Sequence, residues 1–473
     1  MRTRRPSQRE RVPPPLIPWR IPSGRRTTEQ PNVTGHGESP LTPRFWLALV
    51  GTAVASGLLG ALMMLILFSV EHLAFGFHSG SFQAAVERAS ALRRVVSLAV
   101  AGAVGGVAWY ALRRATRGEP SDIDEAIWNG SGRLSFRRCL GSSVISEVVI
   151  GMGASIGREA APKLLGGASG SVLARWTGLT PAQRRLLVAC GGGAGLACVY
   201  NVPLGGALFT AEILVGTLAL PVMLPALVCS WLATLTAWVY LPTHATYLDI
   251  PAYHFSAPLM VFALLVGPVV GVLSVGYIRL VAWVSHHRAT GRRALLAPLV
   301  AFTILGLVGI AYPQLFGNGK GMAHEAFVGG GTLGLLLALA ALKPLVTSLC
   351  LGSGAAGGLF TPVMSTGAVL GAGLGMAWST LWPGAPSGAY ALVGASAMIG
   401  AGMQAPLAAL ALILELTHSG FSILVPMIAA TATATLVSHH LDGYSIYTGR
   451  LAAEEGHPVP LRPQPQAGGA ETA

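Results

Sequence analysis

The chain has 473 residues, of which 52% are hydrophobic and only 11% are charged, with 61 glycines. A soluble domain of this length carries about twice that charged fraction, so the composition excludes an ordinary soluble enzyme and indicates a polytopic membrane protein. The net charge of +12 comes from basic residues at the chain ends and in short loops, so we expect no nucleic-acid partner. Apolar runs of about 20 residues recur without strand-like alternation. They predict an all-α membrane protein with roughly ten or more segments in the bilayer and exclude a β-barrel.

A basic, proline-containing tail over 1–43 holds eight arginines. Under the positive-inside rule we expect this tail to be cytoplasmic, and its composition predicts disorder. Positions 44–452 form the predicted transmembrane domain, and a short disordered tail is expected over 453–473. The predicted location is therefore a cell membrane, crossed many times and in contact with lipid. Five cysteines lie in or beside apolar segments without metal-ligand spacing, so we expect buried thiols and no metal or cofactor.

The apolar segments predict a series of helices in chain order. Their approximate bounds are 45–75, 95–112, 138–153, 160–176, 181–200, 220–240, 257–284, 295–312 and 333–349. Pro120 and the acidic residues after it predict another helix start, and Asn201-Val202-Pro203 predicts a break. A polar, glycine-rich loop is expected over 316–331, and three more apolar stretches are expected between Pro362 and His439.

An arginine and a carboxylate, Arg158 and Glu159, lie inside the apolar, glycine-rich stretch 153–162. A charged side chain at mid-membrane costs roughly 2.5–3.5 kcal/mol on insertion scales, so such residues usually face a cavity, a partner or a permeating ion. The glycines before the pair and the small residues and proline after it predict a loop that becomes a helix N-terminus near position 160. A helix N-terminus attracts anions, so the stretch predicts an anion site.

The two halves of the chain repeat a proline–glutamate pair and the proline that ends a glycine-rich break. The pairs are Pro203 with Glu212 and Pro406 with Glu415, and the breaks end at Pro162 and Pro362. We therefore predict two inverted repeats of about 200 residues, over 44–240 and 256–452. Paired broken helices in two repeats predict a transport site at the repeat interface near the bilayer midplane.

These motifs resemble the CLC family of chloride channels and proton-coupled chloride antiporters, over nearly the whole chain from about Phe45 to Leu451. Gly157-Arg158-Glu159-Ala160-Ala161 is similar to the family's GREGP motif, Gly358-Leu359-Phe360-Thr361-Pro362 is similar to GIFAP, and Tyr447 is similar to its pore tyrosine. The resemblance implies a CLC-type inverted-repeat bundle of tilted and broken helices. It also implies a homodimer with a pore in each subunit, chloride or another small anion as the transported ion, and no cofactor.

The resemblance also implies roles for individual residues. Glu159 corresponds to the gate, a carboxylate that competes with the anion for one site. Residues implied at the anion are Gly118, Gly358, Leu359, Phe360 and Tyr447, and the motif residues that support them are Gly157, Arg158 and Pro362. Backbone N–H groups and a tyrosine hydroxyl would replace the hydration of chloride without a full positive charge, which suits an ion that must also leave.

Two departures from the family pattern bear on function. Gly118 stands where the family has a serine that contacts the anion, which leaves the preference among chloride, nitrate, bromide and fluoride open. The neighbouring Glu119 adds a negative charge near the inner mouth of the pathway. Ile213 stands where antiporters usually carry a glutamate that relays protons, and isoleucine cannot carry a proton.

The sequence therefore favours a passive chloride channel, gated by voltage or pH through Glu159. The alternative is a chloride/proton antiporter with another internal proton route, for which Glu147 and Glu212 are the candidates. A remote alternative is a non-transporting membrane enzyme or sensor, because residues 153–157 formally match G-x-S-x-G without the context that this motif requires.

Structural interpretations stand beside these functional ones. Glu159 is weighed against a structural pair with Arg158, and Tyr447 against Tyr444 as the pore tyrosine. Glu147 is weighed against a buried carboxylate with satisfied hydrogen bonds. Glu212 has a twin in Glu415, which indicates a structural role common to both halves.

Overall fold

The computed structural model describes residues 41–128 and 130–451. The tails predicted over 1–43 and 453–473 lie outside these ranges, except for residues 41–43, where the first helix begins. Within the described ranges the regular structure is helical. The α-helices are α1 Pro43–Phe75, α2 Phe82–Arg88, α3 Ala91–Ala115, α4 Ile123–Trp128, α5 Phe136–Gly151, α6 Ala160–Trp176, α7 Pro181–Tyr200, α8 Pro203–Leu208, α9 Leu220–Ala237, α10 Ala257–His286, α11 Arg293–Ala311, α12 Lys320–Phe327, α13 Leu333–Gly352, α14 Phe360–Leu381, α15 Ser387–Met403, α16 Pro406–Thr417 and α17 Leu424–Leu441.

Eight helical segments in the described ranges are long and apolar enough to cross a membrane. They are α1, α3, α9, α10, α11, α13, α14 and the segment Phe421–Leu441 that contains α17. Three shorter apolar segments, Pro203–Val215, α15 and α16, lie among them. Most spans expose one side, whereas α14 is largely enclosed by the rest of the protein. The first residues of α14 are buried, so this helix begins inside the bundle. The predicted all-α membrane fold is confirmed.

The breaks predicted near Pro203 and Pro406 have the same geometry. Asn201 ends α7 with φ 57°, and Gln404 ends α15 with φ 55°, the left-handed conformation that closes a helix. Each is followed by a short helix, α8 or α16, that begins with proline. Proline suits this position because the N–H groups in the first turn of a helix have no intrahelical partner, so the absence of one costs no hydrogen bond.

The repeated glutamates cap each other's short helix. Glu415 accepts hydrogen bonds from the N–H groups of Leu204 (3.1 Å) and Gly205 (2.6 Å) at the start of α8. Glu212 accepts hydrogen bonds from the N–H groups of Leu407 (3.3 Å) and Ala408 (2.6 Å) at the start of α16. Each carboxylate thereby neutralises unpaired N–H groups and the positive end of the opposite helix, and this exchange joins the two halves.

Two local expectations were wrong, and one predicted helix begins later than expected. The predicted loop 316–331 contains α12, whose start is preceded by Gly319 at φ 97° and by Asn318, whose side chain accepts a hydrogen bond from the Lys320 N–H at 3.1 Å. The helix expected at Pro120 begins at Ile123, because Asp122 supplies the cap by accepting two N–H groups, at 2.9 and 3.0 Å. The region between Pro362 and His439 is occupied by four helices instead of three. All five cysteines are buried free thiols, as expected.

Candidate anion site

The Glu159 carboxylate lies at the N-terminus of α14, although Glu159 itself immediately precedes α6. Its Oε1 accepts a hydrogen bond from the Phe360 N–H at 2.8 Å. Its Oε2 lies within hydrogen-bond reach of the Thr361 hydroxyl (3.1 Å) and the Tyr200 hydroxyl (3.2 Å). The residue is only 1% exposed. A carboxylate therefore occupies the place where a helix N-terminus favours an anion.

Gly157 and Gly358 bring the starts of α6 and α14 together. The Gly157 N–H donates to the Gly358 carbonyl at 2.8 Å, and the Gly358 N–H donates to the Gly157 carbonyl at 2.7 Å. A Cβ atom at either glycine would overlap the Glu159 carboxylate, so this approach requires residues without side chains. Because its N–H is already paired, Gly358 contributes space at the site instead of a donor.

Leu359 and Pro362 complete the predicted motif, and their apolar side chains form no hydrogen bond with the carboxylate. Leu359 is fully buried and forms the N-cap position of α14. Pro362 lies in the first turn of α14, where the missing N–H costs no helical hydrogen bond. These residues place the Phe360 N–H, the backbone donor that Glu159 uses.

Arg158 is buried beside aromatic rings. Its guanidinium carbon lies 5.0 Å from the centroid of the Tyr200 ring and 5.9 Å from that of Phe68. Among the described residues, the ion pairs within 4 Å are Lys163 with Asp124 and Arg279 with Asp442, so Arg158 does not form the structural pair with Glu159 that was weighed against the gate. Cation–π contacts and its place beside Gly157 make Arg158 a support for the loop.

Tyr447 lies beside the first turn of α6 and not in the hydrogen-bond shell of Glu159. Its ring packs against Phe209 with centroids 6.0 Å apart, and the Lys163 ammonium lies 4.5 Å from its centroid. Lys163 follows Glu159 by one helical turn, and its N–H donates to the Glu159 carbonyl at 3.1 Å. Tyr447 is buried, whereas Tyr444 is only partly buried.

Gly118 lies in the turn between α3 and α4, apart from the hydrogen bonds of the Glu159 carboxylate. It is exposed, has φ 83°, and a Cβ added there would meet open space. The neighbouring Glu119 is held against the start of α5. Its carboxylate accepts a hydrogen bond from the Ser135 hydroxyl, and its carbonyl accepts one from Arg138 at 2.7 Å. The extra negative charge expected at the inner mouth is therefore partnered.

The two proton-relay candidates have opposite surroundings. Both oxygens of Glu212 hold N–H groups of α16. Glu147 on α5 is fully buried, and neither of its carboxylate oxygens has a hydrogen-bond partner within the described part of the chain. The charged groups that act on Glu147 are Arg158, Glu159 and Glu71. Glu147 is thus not the satisfied carboxylate that was weighed against a relay.

Sequence reasoning missed two residues whose hydroxyls contact the Glu159 carboxylate, Tyr200 and Thr361. Thr361 carried a signal, because it replaces the alanine of the GIFAP motif and places a hydroxyl in the first turn of α14. Tyr200 carried a weaker one, as the last residue of a buried, glycine-rich helix just before a break. Neither signal shows that the two hydroxyls converge on one carboxylate oxygen.

Comparison with known proteins agrees with this geometry. A family model described as voltage gated chloride channel matches residues 101–439, more than half of the chain. The chain belongs to this family. The voltage-gated ClC-type chloride channel ClcB of Citrobacter koseri is 30% identical over 387 residues, which cover 79% of this chain and 91% of that protein. The H(+)/Cl(−) exchange transporter ClcA of Yersinia pestis is 28% identical over 314 residues, 64% of this chain and 65% of that protein.

The CLC fold is also found in solved structures. A slow cyanobacterial Cl−/H+ antiporter superposes with a TM-score of 0.74 at 22% identity, over 86% of this chain and 97% of that chain. The resemblance to the CLC family drawn from the motifs is confirmed. The protein is therefore a multi-pass membrane protein that carries out CLC-type anion transport.

Proposed function

We propose that this CLC protein exchanges chloride, or another small monovalent anion, for protons, and that both ions use Glu159. The observation that carries the proposal is the position of the Glu159 carboxylate on the Phe360 N–H, at the N-terminus of α14. The same backbone N–H that holds the carboxylate is suited to hold chloride. The name of the Yersinia relative, an H(+)/Cl(−) exchange transporter, supports exchange over the passive conduction expected from Ile213.

Competition between carboxylate and anion explains how one residue could couple the two ions. While charged, Glu159 fills the N-terminus of α14 and excludes the anion. Once protonated, it loses most of its electrostatic attraction to that N-terminus, so an anion takes its place and the glutamic acid moves away with its proton. Return of the carboxylate releases the anion and requires release of the proton, which links the two movements.

The proposed internal proton route passes through Glu147. Ile213 is buried in the π-helical segment Phe209–Val215 and has no group that can bind a proton. Glu147 is fully buried, and neither of its carboxylate oxygens has a hydrogen-bond partner among the described residues. An ionisable residue left unpaired inside a membrane protein costs free energy and usually marks an ion or proton pathway. Glu212 is not part of the proposed route, because its oxygens cap α16.

Passive conduction is the second candidate. Ile213 at the position of the usual relay favours it, and the relative from Citrobacter koseri bears the name of a voltage-gated ClC-type chloride channel. In that case Glu159 would still gate the pathway, but no proton would cross with each anion. Neither candidate function fixes the order of preference among anions, because Gly118 stands where the family has a serine.

The assembly and placement of the protein are proposed on the same resemblance. We propose a homodimer in a cell membrane, with a pathway in each subunit and the N-terminus in the cytoplasm. The support is the family pattern for the dimer and the basic composition of residues 1–43 for the orientation.

The deciding measurement uses purified protein in sealed liposomes with a chloride gradient and an external pH electrode. Exchange predicts proton movement driven by the chloride gradient, its loss in Glu159→Gln while chloride flux continues, and its strong reduction in Glu147→Gln. Glu212→Gln is the matched carboxylate control and should keep proton movement. Chloride flux without proton movement in the unmodified protein would establish passive conduction, and normal coupling in Glu159→Gln would refute the shared-site mechanism.

A further inference from the structure

A second buried carboxylate, Asp124 on α4, is paired with the Lys163 ammonium of α6. Lys163 Nζ lies 3.4 Å from Asp124 Oδ1 and 3.3 Å from Oδ2, and the two side chains are only 9% and 12% exposed. Charge-assisted N–H···O bonds are usually about 2.7–2.9 Å long. The ammonium is therefore shared between two oxygens at long range instead of being held by one tight hydrogen bond.

The pair lies beside Tyr447, which the family resemblance places at the anion. Lys163 is four residues after Glu159, the residue that immediately precedes α6, and its backbone N–H donates to the Glu159 carbonyl at 3.1 Å. The Lys163 ammonium lies 4.5 Å from the ring centroid of Tyr447, and the Tyr447 ring also packs against Phe209. An anion that leaves the start of α14 in the direction of Tyr447 would therefore approach a buried ammonium.

Stability alone is a weak reason for this pair. A buried ion pair is often no more stabilising than apolar residues of the same volume, because the desolvation of both charges offsets their attraction. Inside a membrane protein a buried ionisable pair is by default a candidate functional site. The hydrogen bonds of the Lys163 ammonium to described residues go to Asp124, and an ammonium has three hydrogens to donate. The ammonium thus has capacity for another acceptor.

We propose that Lys163 binds the transported anion on the Tyr447 side of Glu159, and that Asp124 is a resident carboxylate which the anion must displace. The ligand class is a small monovalent anion. Glu159 and Asp124 then act in series, one occupying the N–H of Phe360 and the other the ammonium of Lys163. A buried ammonium without a counter-ion would hold an anion too firmly for transport, whereas competition from Asp124 lets the anion leave again. This inference rests on the proposed anion exchange and on the position at the anion that the family resemblance implies for Tyr447.

The first test is chloride binding to the purified protein, measured by calorimetric titration. Asp124→Asn removes the competitor and keeps the shape, so we expect the chloride Kd to fall by about 10- to 150-fold, the effect of one charge-assisted hydrogen bond. Lys163→Met removes the ammonium, and the Kd should rise by about 10- to 150-fold for the same reason. Asp442→Asn, in the other ion pair at 3.2 Å from Arg279, is the matched control and should leave the Kd unchanged.

The second test keeps the proposal decisive if a broken ion pair impairs folding. Thermal unfolding is recorded at increasing chloride for the unmodified protein, Asp124→Asn, and the double variant Lys163→Met/Asp124→Asn. Chloride should stabilise Asp124→Asn more steeply than the unmodified protein, because the anion neutralises the unpaired ammonium. Chloride should stabilise the double variant less than it stabilises Asp124→Asn, because the ammonium is gone. If Asp124→Asn cannot be isolated, a Lys163→Met variant whose Kd equals that of the unmodified protein overturns the proposal.

The outcomes separate this inference from the proposed function. Equal chloride dependence in all three proteins would make the Lys163–Asp124 pair a scaffold element and refute the inference alone. Absence of chloride binding and chloride flux in the unmodified protein would refute the proposed function together with it.

Discussion

The hydroxyls of Tyr200 and Thr361 should act as substitutes for each other in holding Glu159. The two oxygens lie 2.6 Å apart, and each lies within 3.2 Å of Glu159 Oε2. Two hydroxyls carry two hydrogens, whereas this triangle has three sides. One hydroxyl therefore donates to the carboxylate, and the other donates either to the first hydroxyl or to the carboxylate. If one is removed, the other keeps a hydrogen bond to Oε2.

The magnitudes follow from this sharing. Tyr200→Phe and Thr361→Val should each change the half-saturating chloride concentration by less than about tenfold, the effect of a neutral hydrogen bond. The double variant removes every hydroxyl donor to Oε2. A hydrogen bond to a charged group contributes about 1.5–3 kcal/mol, and 1.4 kcal/mol corresponds to about tenfold. Because Glu159 competes with the anion, the half-saturating chloride concentration should fall by about 10- to 150-fold.

The assay is chloride flux from liposomes over a range of chloride concentrations, with calorimetric chloride binding in parallel. Tyr253→Phe is a matched control, because its hydroxyl is also buried and donates to the Phe327 carbonyl at 2.6 Å, away from Glu159. The reasoning would be refuted if the double variant had no larger effect than either single variant. It would also be refuted if loss of the hydroxyls raised the half-saturating concentration, since the carboxylate would then not be the competitor.

Three further predictions test other parts of the site. Gly358→Ala places a Cβ in the space that the Glu159 carboxylate and the anion share, so chloride flux should fall; Gly420→Ala, where a Cβ meets open space, is the control, and equal flux in the two variants would contradict the reasoning. Glu212→Gln weakens the cap of α16, so the free energy of unfolding should fall by about 1–3 kcal/mol in thermal unfolding while proton movement persists. The reverse pattern would place Glu212 in the proton route. Gly118→Ser should change the ratio of nitrate to chloride flux if this turn contacts the anion, and an unchanged ratio would remove it from the pathway.

The sequence by itself determined the fold class and the position of the proposed gate, Glu159. Long apolar runs specify membrane helices because the backbone must satisfy its own hydrogen bonds in lipid. Glu159 is conspicuous because a charge in an apolar, glycine-rich stretch is costly unless it is used. The repeated proline and glutamate positions, including Glu212 and Glu415, predict an internal repeat.

Only the tertiary structure decided which groups meet. Glu159 is held by Phe360, 201 residues away, because Gly157 and Gly358 let two helix starts approach. The sequence shows that a buried carboxylate needs a partner, but it does not show whether one arrives. That difference separates Glu212, whose oxygens are filled by α16, from Glu147, whose oxygens have no described partner. Hydrogen bonds depend on distance and direction between elements that are far apart in the chain, and residue type records neither.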